Sequence, residues 1–161
     1  CDNGRTTAIN EQPIQGEPAA IAYDIRMVYT DSLQIKAVLT APEHRDFTNL
    51  SLAHSTFPQG LKVTFLDELK KENIITADYG ILYDATGIID LQGNVVLTTS
   101  TNDTLFTEQL FYDQKKEWLF TNQPVKFRTK DYITNGIGFD SNKNFTNAQV
   151  LEVNGRIFID E

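Results

Sequence analysis

Few side chains in this 161-residue sequence are placed to do chemistry. The two histidines, His44 and His54, lie ten residues apart in the least regular stretch of the chain. A zinc site needs further ligands at short spacings, as on a His-Glu-x-x-His helix, and none accompanies them. No metal site is therefore expected. The single cysteine, Cys1, can build neither a disulfide nor a cysteine metal cluster. There is no Gly-x-Ser-x-Gly elbow and no glycine loop of the kind that cradles phosphate.

One chemical pattern does repeat. An aromatic residue followed by aspartate occurs at Tyr83-Asp84, Tyr112-Asp113 and Phe139-Asp140, at intervals of 29 and 27 residues. Stacked carboxylates on a repetitive sheet could hold a cation or serve as acid and base on a glycan. Each pair also stands where a strand-like run gives way to a polar turn, and aspartate caps backbone N–H groups at such places. The turn reading is the stronger. No catalytic residue and no cofactor are assigned, and the chain reads as a non-enzyme.

The elements that would position these residues are β-strands. Residues 77–84, 106–113 and 133–140 read ADYGILYD, FTEQLFYD and ITNGIGFD. Polar turns and further runs follow, of which GNVVLTT (93–99) and PVKFRT (124–129) are the clearest. A self-similar unit of about 28 residues points to stacked hairpins. Turns are predicted at Ala85-Thr86-Gly87, Gln92-Gly93-Asn94, Asn102-Asp103, Gln114-Lys115-Lys116 and Asn122-Gln123-Pro124. Upstream, residues 25–41 form two runs around a turn at Asp31-Ser32, and Pro42 then interrupts the ladder. Residues 43–56 read as irregular. Phe57-Pro58-Gln59-Gly60 turns the chain into LKVTFLD (61–67). Residues 67–73 have helical composition, but seven residues cannot make an independent helix, so a hairpin loop is predicted. The fold class is all-β: an antiparallel stack, jelly roll or open barrel.

Alternate residues of a strand share a face. Aligning the units on their aromatic–aspartate pairs groups Ile81 and Tyr83 with Leu110 and Tyr112, and with Ile137 and Phe139. On the intervening runs Val95 and Leu97 match Val125 and Phe127. The resulting face is apolar and aromatic. It fits a packed core and equally a groove for an apolar ligand.

Bulk properties narrow the partners. Asp and Glu number 22 against 14 Lys and Arg, a net charge of −8, which argues against nucleic acid. Residues 1–20 hold two prolines and little apolar periodicity, so they read as a flexible tether, and residues 21–161 as one domain. A chain that opens Cys-Asp-Asn-Gly without methionine fits a mature bacterial lipoprotein with Cys1 as its lipid anchor. The plainer alternative is a free thiol at an arbitrary start.

Taken in order, the motifs resemble the periplasmic lipopolysaccharide export family LptC. The matching stretches are Phe57–Gly60, Ala77–Asp84, Gly93–Leu97, Thr107–Lys116, Pro124–Phe127 and Ile133–Ser141, within a likeness spanning about residues 25–160. The resemblance implies a single twisted, open, V-shaped β-jellyroll. Its interior (Ile81, Tyr83, Val95, Leu97, Leu110, Tyr112, Val125, Phe127, Ile137 and Phe139) would shelter lipopolysaccharide acyl chains. The cargo would come from an inner-membrane ABC transporter and pass to a periplasmic bridge protein of the same fold. Many members begin with a transmembrane helix; here Cys1 and its tether would attach the domain to the periplasmic face of the inner membrane instead. The sheet edges expected to receive partners are the first, near Ile21–Tyr29, for the transporter, and the last, with Val150, Val153, Ile157 and Ile159, for the bridge. A surface lipoprotein with a carbohydrate-binding jelly roll is the competing reading; it needs an exposed aromatic platform, and the only tryptophan, Trp118, falls inside the repeat.

Overall fold

The computed structural model describes residues 17–31, 33–67, 69–142 and 147–158, and their regular structure is all β. In chain order the strands are β1 (Ala20–Asp31), β2 (Gln34–Asp46), β3 (His54–Phe57), β4 (Leu61–Leu66), β5 (Glu72–Ala77) and β6 (Tyr79–Tyr83). The second half supplies β7 (Ile88–Thr98), β8 (Thr104–Asp113), β9 (Trp118–Arg128), β10 (Tyr132–Asn142) and β11 (Gln149–Phe158). Every pairing is antiparallel, in one sheet ordered β11-β10-β9-β8-β7-β5-β4-β2-β3-β6, with β1 on β2 and β6 returning to β7.

Two strands split their partners, and this closes the roll. The first half of β7 pairs with β6 (Ile88 with Tyr83) and its second half with β5 (Leu97 with Ile75). In the same way β2 pairs with β4 through residues 37–40 and with β3 through Arg45 and Asp46. The sheet therefore folds over, and strands that are not neighbours face one another. Phe65 on β4 meets Tyr112 on β8 edge to face, with ring centroids 4.7 Å apart. The jelly-roll expectation holds.

The loop expected after β4 is a hairpin turn. Asp67 Oδ1 accepts from the backbone N–H groups of Leu69 and Lys71, both at 2.9 Å, and β4 pairs directly with β5. Three expected interruptions are instead irregularities within long strands. Gln92-Gly93-Asn94 is a bulge inside β7, with Gly93 and Asn94 at φ 83 and 46 and a register shift before Val95. Asn122-Gln123-Pro124 likewise lies inside β9, where the register with β8 slips. Gly, Asn and Pro mark bulges as readily as turns, because both need an unpaired or left-handed residue. Pro42 does not end β2 either. It falls in the gap between β4 pairing, which stops at Thr40, and β3 pairing, which starts at Arg45. On its other side Asp24 has φ 52 and, like Pro42, no register partner. No ladder donor is missed there. The irregular stretch 43–56 thus reduces to the end of β2, a connection, and the start of β3.

Candidate functional site

The interior of the roll is one apolar cluster drawn from both walls. Leu39, Val63, Phe65 and Ile75 come from one side, and Leu97, Leu105, Leu110, Leu119 and Phe139 from the other. Leu39, Phe65, Ile75, Leu97, Leu110 and Phe139 are all 0 % exposed, so this interior is filled by its own side chains. Of the ten residues expected to line it, Val95, Leu97, Leu110, Tyr112, Val125 and Phe139 are buried in this cluster. Phe127 is half-buried against it, 5.8 Å from the Phe139 ring.

The other three face away, for two distinct reasons. Tyr83 pairs with Ile88 around a loop at 84–87, whereas in the next hairpin Asp113 pairs with Trp118 around a loop at 114–117. The structural counterpart of Tyr83 is therefore Asp113, not Tyr112, and that of Leu82 is Tyr112. Aligning the units on their aromatic–aspartate pairs slips the register by one, and a one-residue slip turns every side chain to the opposite face. The core-facing residues of β6 are Gly80 and Leu82, which pair with buried Leu91 and Ile89. Ile81 and Tyr83 point away from them. Ile137 is displaced by a bulge: the β9–β10 register shifts between Ile137 and Phe139, at Gly138 with φ 88, leaving Ile137 40 % exposed.

The repeated aspartates do not converge. Asp113 Oδ1 caps its turn by accepting from Lys115 and Lys116 N–H at 3.0 and 3.2 Å. Asp84 opens the 84–87 turn in solvent. Asp140 departs from expectation, sitting inside β10 and accepting from Gln149 Nε2 at 3.1 Å. The histidines are packing residues. His54 is buried flat against Phe47, ring centroids 4.9 Å apart, with Nδ1 2.6 Å from the Leu52 carbonyl. His44 stacks on Phe57 at 5.3 Å, and its buried Nε2 has no hydrogen-bond partner among the described residues. Among the described residues no cluster of three or more His, Cys, Asp and Glu could hold a metal.

Burial sets the electrostatics of the interior. The Tyr112 phenol is pushed well above its ordinary range, first by burial and then by the nearby Glu117 and Asp113 carboxylates. Burial also raises Tyr29 on β1, against a partly offsetting hydrogen bond from the Gln114 side chain. Tyr29, Thr30, Lys36, Gln114 and Glu117 rim a cavity of about 240 Å3 whose floor is Ala37, Val63, Ile89 and Tyr112. It lies between residues of the two walls and is partly open to the surface.

The outer edges of the sheet are β1 and β11, as expected. On β11, Val150 packs on the core while Val153 and Ile157 are 51 % and 61 % exposed. Cys1, Ile159 and most of the expected tether lie outside the described residues; β1 begins at Ala20, inside the stretch assigned to that tether. Among the described residues no helix is long and apolar enough to cross a membrane.

Sequence comparison agrees with this architecture. Residues 3–157 match the family described as lipopolysaccharide-assembly, LptC-related. A comparison with curated proteins finds no match. With nearly its whole length matched, the chain belongs to the LptC-related family and takes part in lipopolysaccharide transport in the cell envelope.

Proposed function

We propose that the chain receives lipopolysaccharide from an inner-membrane ABC transporter and passes it to a periplasmic bridge protein of the same fold. The observation that carries this is an apolar interior running between two sheet edges, β1 and β11, that pair with no further strand among the described residues. Unpaired edges invite strand addition, which would extend the roll into its neighbours and keep the acyl chains sheltered from one protein to the next. In this reading β1 meets the transporter and β11 the bridge. The acyl chains contact Val95, Leu97, Leu110, Tyr112, Val125, Phe127 and Phe139, and Cys1 carries the lipid that holds the domain at the inner membrane.

Because the interior is filled, cargo enters only by parting the walls. Ten methylenes moved from water into such a site gain about 8 kcal/mol, which offsets part of the burial that the parted walls give up.

A photocrosslinking residue at Phe127 in living cells is expected to capture lipopolysaccharide. A folded protein that captures none there refutes the cargo. The same residue at Ile157 is expected to capture the bridge protein, and capture of the transporter alone would reverse the assignment of the ends. Mass spectrometry of the membrane-extracted protein is expected to find Cys1 acylated. Full membrane retention of Cys1→Ala would remove the anchor from this account.

A further inference from the structure

We infer that the cavity rimmed by Tyr29 and Gln114 is the mouth through which the tip of one acyl chain enters the roll, with Tyr29 as its movable closure. This rests on the lipid-carrying reading and adds the route.

The cavity differs in kind from the other depressions described. A second, along Val96, Phe106 and Pro124, is bounded by β7, β8 and β9, and a third, along Ile25, Thr40 and Leu61, chiefly by β1, β2 and β4. Those strands are consecutive neighbours in the sheet, so these are dents in one wall. The Tyr29 cavity is bounded by β1, β2 and β4 on one side and by β7, β8 and the 114–117 turn on the other. Val63 and Tyr112 belong to opposite walls, and Phe65, two residues from Val63, is the ring that meets Tyr112 across the interior. A chain end that enters here is already between the walls.

Polarity selects the ligand. The space is about 240 Å3, enough for the end of one alkyl chain. Its floor is four core residues, while Thr30, Lys36, Gln114 and Glu117 give it a polar rim. Tails therefore go in and heads stay out. The closure sits at an irregular point of an edge: among the described residues β1 has one partner strand, and its register with β2 shifts between Tyr29 and Thr30, at the rim itself, so the Tyr29 side chain can swing aside while the strand stays paired. The Tyr29 hydroxyl donates to Met27 Sδ at 3.8 Å on its own strand and lies within reach of the Gln114 amide across the gap.

The test ties the mouth shut. In the full chain carrying Cys1→Ser, Tyr29→Cys and Gln114→Cys, a short bifunctional methanethiosulfonate joins the two thiols, and dithiothreitol releases them. A benzophenone amino acid at Met27, which is half-buried against the central cluster two residues along β1 from Tyr29, reports arrival just inside the mouth. Purified lipopolysaccharide and myristic acid are the probes, in separate arms. Capture at Met27 is expected to fall at least tenfold when the mouth is tied and to return on reduction. Undiminished capture in the tied protein overturns the mouth and leaves the lipopolysaccharide reading standing. Absence of capture of either probe before tying overturns both. Tie-sensitive capture of myristic acid alone keeps the mouth as an acyl-chain passage and removes lipopolysaccharide as its cargo.

Discussion

The two edges of the sheet are alike in pairing and unlike in what holds them. Among the described residues β1 and β11 each have one partner strand. Ile25, Met27 and Tyr29 of β1 pack against the central cluster, whereas β11 contributes only Val150. Beyond it Leu151, Val153, Ile157 and Phe158 are 51–71 % exposed. One edge is fixed by side-chain burial and the other mainly by its backbone ladder. An edge fixed by burial opens at the cost of the core, so its opening can be coupled to what the core contains. An edge fixed by a ladder can be extended by a partner strand with the core undisturbed. That division suits a protein that loads at one side and delivers at the other.

The comparison breaks most readily through the core beneath β1. Leu39 is fully buried and pairs with Met27 on β1 and Val63 on β4. Leu39→Ala is expected to cost about 2–5 kcal/mol, the range for truncating a buried leucine. Urea unfolding gives the loss, and hydrogen exchange should show β1 amides opening together with the global transition. If β1 amides opened at a free energy far below that of the core, burial would not be what holds this edge.

The corresponding cut at β11 should be local. A Cβ at Gly136 would lie 2.5 Å from Val150 Cγ1 and would run into the backbone carbonyl of Glu152, which cannot move without breaking the ladder. Gly136→Ala is therefore expected to free β11, raising its amide exchange at least a hundredfold. Unfolding of the remainder should change by less than about 1 kcal/mol. A comparable loss through the whole domain would show β11 to be integral to the core.

How much of this was legible in the sequence depended on whether a feature is local. Strand composition, the Asp113 cap and the hairpin loop expected over residues 67–73, whose last two residues belong to β5, follow from propensity and short-range hydrogen bonding. The two edges were legible too, since first and last strands have the fewest ways to be covered. Bulges at Gly93 and Pro124 were unreadable as such, because a bulge and a turn share their residues and differ only in whether the partner strand continues. The Tyr83 face was misassigned because Tyr-Asp recurs in sequence while the hairpin loops begin one residue apart. Nothing in a single strand reveals that offset; it belongs to the pairing. The opposite wall of the interior, Ala37, Leu39, Val63 and Phe65, falls in runs read as strands, but its partnership with Tyr112 is a long-range contact that only closure of the roll creates.

Tyr112 offers a titration of the wall contact that backs β1. Its phenol is favoured in the neutral form when folded, so its pKa is raised above the unfolded value of about 10. A raised pKa contributes stability that is complete below pH ~10 and is lost as pH climbs toward the folded value. Above pH ~10 the loss approaches about 1.4 kcal/mol per pH unit for one such group. Tyr112→Phe is expected to flatten alkaline unfolding by up to that slope while leaving the neutral-pH value within about 1.5 kcal/mol. An unchanged alkaline limb would mean that Tyr112 ionises freely and the walls already part there.

The smallest expected effect sharpens the other side. Arg156 on β11 lies 4.6 Å from the Tyr132 ring centroid and donates from Nε to Thr134 Oγ1 at 3.2 Å, both on β10. Tyr132 also meets Phe158 edge to face at 6.1 Å. These contacts supplement the ladder where Val150 no longer reaches the core. A cation over a ring near the surface is worth about 0.5–1 kcal/mol. Arg156→Ala should therefore speed β11 exchange roughly two- to fivefold, with Arg156→Lys partly restoring it through the retained charge. Global unfolding should not move. Were it to fall with the exchange rates, side chains and not backbone pairing would hold β11, and both edges would be fastened in the same way.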